Sequence, residues 1–254
     1  MLSTKIKLLD SICAIDVGNI ITIAGYTGSG KSVYAKNLAY SIALVGKHAV
    51  YIEVEESPDI VNNCFLKLHN YYNPNINKED LIKDFDEKIG KNITFIDFTK
   101  ITFCALKKQL SSIQIEHPID LIIINSFTIL KYKNDVSTLE YLRYFKNIKD
   151  TFSSKPNICI ITNTSRKGYL YARTRNYISE EDEGTYKIDG IKNWNKLNSF
   201  SDYILTVYST ECMRLKKQIK IQILKSKGRE LNHKPIVTNF LTDHFFIGDV
   251  LTTQ

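Results

Sequence analysis

No stretch of this sequence is apolar enough to cross a bilayer. The densest run, Leu121–Ile124, is four residues long, against roughly 20 for a spanning helix. The amino-terminal residues carry lysines but no apolar segment of the kind a secretory signal needs. These absences point to a soluble, cytoplasmic chain with no membrane partner. There is no C-x-x-C pair, and no histidine sits at ligand spacing from Cys13, Cys64, Cys104, Cys159 or Cys212. That argues against a disulfide framework and a cysteine–histidine metal site. Five buried free thiols are expected instead. Pro-, Gly- or Ser-rich linkers, internal repeats and low-complexity tracts are also missing. A short lead-in over residues 1–19 and one domain over 20–254 are therefore expected.

What is there begins with Gly25–Ser32, G-Y-T-G-S-G-K-S. It fills every fixed position of the phosphate-loop pattern G-x-x-x-x-G-K-[ST]. The apolar, β-branched run Ile20–Ala24 before it reads as a buried strand, and Val33–Leu44 after it as a helix. Strand, glycine loop and helix are what phosphate binding needs. Gly25, Gly28 and Gly30 let the backbone N–H groups of Tyr26, Thr27 and Ser29 turn toward phosphate oxygens. The helix start adds free N–H groups and a positive dipole end. Lys31 is expected at the β- and γ-phosphates of a nucleoside triphosphate, and the Ser32 hydroxyl on Mg²⁺. No metal other than the nucleotide's Mg²⁺ is expected.

Along the rest of the chain, strands and helices alternate. Ala49–Val54 reads as a strand ending in Glu55-Glu56, and Asp120–Leu130 contains the strongest buried-strand signal, ending at Asn125. Asn157–Thr162 is a further core strand, ending at Asn163. Acids and amides at the carboxyl ends of such strands line the ligand crevice. A carboxylate there can polarise the water that attacks the γ-phosphate. Arg166–Asp189 reads as a long polar loop, with Arg166, Lys167, Arg173 and Arg175 interleaved with tyrosines. Guanidinium groups and rings together suit single-stranded nucleic acid. The net charge of +7 agrees with that. The carboxyl-terminal third is β-rich. The expected fold is α/β, with a mostly parallel sheet covered by helices and antiparallel strands added at one edge.

In this order the motifs resemble the RecA-type ATPase core. The closer likeness is to the motor domain of replicative ring helicases, the DnaB, Twinkle and phage primase–helicase group. The likeness runs from about Leu9 to Ile247. It rests on the phosphate loop and on V-G-K-H-A-V-Y-I-E-V-E-E-S, L-I-I-I-N-S, I-C-I-I-T-N-T-S and I-L-K-S-K-G-R. The resemblance implies that Glu55 is the catalytic base, with Glu56 in reserve. It implies that Asn163 senses the γ-phosphate. Asn125 stands where the family has the Asp near Mg²⁺. Lys225 and Lys227, with Arg229 as an alternative, would reach a neighbouring subunit's ATP site. Loops near Lys131 and Lys133 and from Arg166 onward would contact single-stranded DNA. The resemblance further implies a homo-oligomeric ring, typically a hexamer, and replication partners such as primase. A RecA- or RadA-like recombination ATPase fits the I-I-N-S and K-S-K segments nearly as well. Asn125 also raises a nucleotide-binding scaffold without turnover.

Overall fold

The computed structural model describes residues 2–99, 101–127, 136–231 and 233–249. Its centre is a sheet in the order β10-β9-β7-β6-β1-β5-β4-β2-β3, with β8 paired to β7. The strands β1 (Ile20–Gly25), β2 (His48–Glu53), β3 (Ile93–Asp97), β4 (Ile119–Asn125), β5 (Asn157–Asn163) and β6 (Tyr203–Tyr208) run parallel. Then β7 (Gln218–Ser226), β8 (Arg229–Glu230), β9 (Ile236–Leu241) and β10 (Phe246–Gly248) add on antiparallel. The expected mostly parallel sheet with an antiparallel edge is what the chain forms.

The parallel strands are apolar because helices cover both faces. One face carries α1 (Lys7–Ile12), α2 (Lys31–Leu44), α3 (Pro58–Tyr72) and α4 (Lys78–Lys88). Its core includes Leu2, Ile6 and Leu9 together with Ile21, Tyr34 and Leu205, so the lead-in residues belong to the same packed cluster. The other face carries α5 (Phe103–Glu116), α6 (Thr138–Thr151), α7 (Arg166–Thr174), α8 (Trp194–Phe200) and α9 (Glu211–Leu215). Among the described residues, no helix is long and apolar enough to cross a membrane. All five cysteines are free, but Cys104 and Cys212 are exposed rather than buried. Each lies on the outer side of a helix that covers the sheet.

The segment read as a long loop from Arg166 is a helix, α7, followed by single 3₁₀ turns at Arg175–Tyr177 and Ile188–Gly190. Ser165 starts it, its hydroxyl accepting the Gly168 N–H at 3.0 Å. The helix is then seated by a backbone approach. A Cβ placed on Gly168 would lie 2.6 Å from the Gly190 carbonyl oxygen, so only glycine lets α7 lie this close. Tertiary packing thus orders a stretch whose polar composition reads as a loop.

Candidate active site

The site sits at the carboxyl edge of the sheet, where β1, β2, β4 and β5 end. Gly25 is in register with Asn163, and Glu53 with Asn125. Each glycine of the phosphate loop has its own physical reason. A Cβ on Gly25 would meet Ser29 Oγ at 2.4 Å and the Val207 carbonyl at 2.5 Å. Gly28 and Gly30 have φ of 76° and 95°, a region that side chains rarely adopt. Gly30 is the residue from which α2 starts. The helix therefore opens directly on the loop, with its first N–H groups free for an anion.

Lys31 is buried at 8% exposure, its ammonium donating to the Tyr26 carbonyl at 2.9 Å. Burial pushes its pKa down to about 8, and the Glu55 carboxylate opposes that shift. The Glu55 charge is thus felt at the Lys31 ammonium. Glu56 is engaged elsewhere: its carboxylate pairs with the ammonium of Lys36, which is 2% exposed. No ion pair to Glu55 is found among the described residues. Geometry thus separates two acids that the sequence leaves a single register apart.

Ser32 Oγ donates to Asn125 Oδ1 at 3.1 Å, and Asn125 Nδ2 donates to Glu53 Oε2 at 2.7 Å. Glu53 is 1% exposed. Its other oxygen accepts the backbone N–H groups of Val54 and Glu55 at 2.8 and 2.9 Å. Burial raises its pKa, and these hydrogen bonds pull it back. Sequence reasoning missed Glu53. The available signal was an acid inside the buried run V-Y-I-E-V, where an unpartnered charge would be costly. Ser32 and Asn125 present hard oxygen donors of the kind Mg²⁺ takes. The buried hydroxyls of Ser29 and Ser126 have no partner among the described residues, as suits groups waiting for a ligand. The residues present fit a Mg²⁺–nucleotide.

Asn163 is half-buried at the end of β5, beside Gly25, and its carbonyl accepts the Lys192 N–H at 2.9 Å. The cationic turn lies elsewhere. Lys227 and Gly228 form a two-residue hairpin loop between β7 and β8, with φ of 48° and 80°. Lys225 pairs with Ile204 at the start of β6, whereas the phosphate loop follows Gly25, which pairs with Val207 at that strand's far end. The turn is thus about one strand length, roughly 17–20 Å, from its own phosphate loop. Lys225 is also turned inward, with its ammonium held by the Asn198 carbonyl and its pKa lowered by burial. Lys227 and Arg229 are the exposed cations of the turn.

Arg166, Lys167 and Arg173 are exposed on α7, and Arg175 lies 5.6 Å from the Tyr171 ring. Tyr169 of this helix stacks on Tyr26 of the phosphate loop, centroids 4.2 Å apart and planes 17° from parallel. Arg214 reaches back to the Gly28 carbonyl at 3.0 Å. Neither contact was foreseen. Both border a cleft of about 980 Å³ between the phosphate loop, α7 and α9. Lys131 and Lys133 lie outside the described residues.

A family profile described as the KaiC ATPase matches residues 2–229. Among solved structures, one described as an ATPase domain superposes with a TM-score of 0.74 at 13% identity, covering 98% of this chain and 91% of that one. A DnaB-like replicative helicase, from a structure that also treats its interactions with primase, gives 0.74 at 12% identity. There the overlap covers 98% of this chain but 62% of the helicase, so the chain spans less than two thirds of that protein. No curated protein sequence matches. At these identities the structural likeness establishes a shared RecA-type fold.

Proposed function

We propose that this chain, which belongs to the KaiC family of ATPases, is a motor that couples ATP hydrolysis to movement on single-stranded DNA, as a ring of identical subunits. Lys31 and the start of α2 hold the phosphates. Ser32, backed by Asn125, holds Mg²⁺, which neutralises charge on the phosphates when bound. Glu55 orients the attacking water, and Asn163 contacts the γ-phosphate. Lys227 and Arg229 act on the next subunit's site. Their distance from their own phosphate loop supports action between subunits, as does their exposure. Primase is the proposed class of replication partner.

The observation that carries the reading is the Tyr26–Tyr169 stack. It joins the phosphate loop to the helix bearing Arg166, Lys167 and Arg173. An aromatic pair of this kind contributes about 0.5–1.5 kcal/mol beyond its buried area. A shift of the loop on hydrolysis would therefore be felt by a cationic helix suited to a nucleic-acid backbone. Fluorescence anisotropy with labelled single-stranded DNA over a salt series tests this. The Arg166→Ala/Lys167→Ala variant is expected to bind more weakly, with the slope of log K against log[salt] reduced by about 1.4 for two lost phosphate contacts. An unchanged slope would remove α7 from the DNA interface.

A further inference from the structure

We propose that Glu53 supplies the negative charge of the divalent-cation site and fixes the Asn125 amide so that its oxygen, not its nitrogen, faces the cation. The inference rests on the nucleotide-site reading above. An asparagine at a metal is useful only through Oδ1, and an amide can sit either way round. Here the choice is made from behind. Glu53 Oε2 accepts from Asn125 Nδ2 at 2.7 Å, which directs Oδ1 toward Ser32 Oγ at 3.1 Å. Glu53 is itself held by the N–H groups of Val54 and Glu55, so it cannot swing away without losing both. The charge that an aspartate would place at position 125 thus stands one hydrogen bond further back, on the neighbouring strand. Glu53 is a positioning residue. It also ties down the backbone of Glu55, the proposed base.

The arrangement has a direction that mutagenesis can reverse. In Asn125→Asp, two carboxylates face each other where one hydrogen bond had been, and they repel. In Glu53→Gln, no orientation of the new amide serves every partner. Its oxygen can face Asn125 Nδ2 or the two backbone N–H groups, but the amide nitrogen then meets donors on the other side. In the double variant every group is satisfied. The amide oxygen introduced at position 53 accepts the backbone N–H groups, its nitrogen donates to the carboxylate introduced at position 125, and the site keeps one negative charge.

The experiment is a double-mutant cycle on the full chain with two readouts. The first is thermal unfolding without nucleotide or metal. Both single variants are expected to melt several degrees below the wild type. The double variant should recover to near the wild-type Tm, a non-additive result. The second readout is Mn²⁺ titration of the nucleotide complex by electron paramagnetic resonance. Glu53→Gln is expected to weaken Mn²⁺ about tenfold through the lost charge, with the double variant within about threefold of wild type. Additive Tm losses would overturn the proposal, as would a double variant that does not fold or Mn²⁺ affinity unmoved by Glu53→Gln. A wild-type chain that binds no Mn²⁺–nucleotide would instead refute the nucleotide-site reading, and the Tm cycle would still decide the Glu53–Asn125 pairing.

Discussion

Replacing Lys31 by alanine is expected to lower ATP turnover by at least about a hundredfold, the scale of losing one preorganised donor to developing charge. The Lys31 ammonium sits inside the loop. It is nearly buried, held by the Tyr26 carbonyl, and its pKa is pushed down to about 8 by burial while Glu55 opposes the shift. At pH 7 it is still about ten parts charged to one part neutral. A polyphosphate arriving in the loop would bring more negative charge than Glu55 supplies, and would hold that proton more firmly. Alanine removes the only lysine in the glycine loop and leaves the backbone cradle without its cation. Lys31→Arg should fail as well. The ammonium is a compact point charge held at the Tyr26 carbonyl. A planar, forked guanidinium on a differently shaped stem does not reproduce that placement. Phosphate release and titration with a fluorescent ATP analogue measure both effects, and circular dichroism checks the fold. Turnover of Lys31→Ala within about threefold of wild type would contradict the assignment.

Glu55→Gln is expected to lose about 10²–10⁴ in turnover, the usual contribution of a general base, while ATP binding persists. Glu55 is exposed at the mouth of the site, its charge acts on Lys31, and its backbone is fixed by Glu53. Glu56→Gln should behave differently. Its partner Lys36 is almost fully buried, so the loss of Glu56 leaves a buried ammonium unpaired and lowers stability. The expected pattern is a fall in rate with little change in Tm for Glu55→Gln, and a fall in Tm with a smaller change in rate for Glu56→Gln. The reverse pattern would transfer the base role to Glu56.

Much of the fold was legible because its signals are local. The phosphate loop is one contiguous motif, and the buried parallel strands are short apolar runs such as Ile20–Ala24 and Leu121–Ile124. The antiparallel edge followed from the β-rich carboxyl-terminal third. What was not legible depends on contacts between distant residues. The choice between Glu55 and Glu56 turns on Lys36, twenty positions away from Glu56. The Ser32–Asn125–Glu53 relay joins α2, β4 and β2 across separations of 93 and 72 residues. The helix from Arg166 to Thr174 was hidden because its polar composition and Gly168 read as a loop, while the Gly168–Gly190 approach and the Tyr26–Tyr169 stack that seat it join separate parts of the chain. Its Ser165 cap was a local signal that went unread. The family resemblance implies that Lys225, like Lys227, reaches out to a neighbouring subunit. Instead β7 is buried on both faces from Ile219 to this residue, so Lys225 lies inside, its ammonium on the Asn198 carbonyl.

Asn125 is the residue at which a motor and a nucleotide-binding scaffold part company. Its amide removes a charge from the phosphate-loop site, and Glu53 stands close enough to restore it. The two possibilities differ in whether ATP is turned over, and whether turnover responds to a nucleic-acid track. The most direct test is the rate of ATP hydrolysis by the purified chain with and without single-stranded DNA, against the Lys31→Ala variant. Hydrolysis that DNA stimulates severalfold and that the variant abolishes is the expected result. ATP binding without hydrolysis, or hydrolysis indifferent to DNA, would contradict the motor reading.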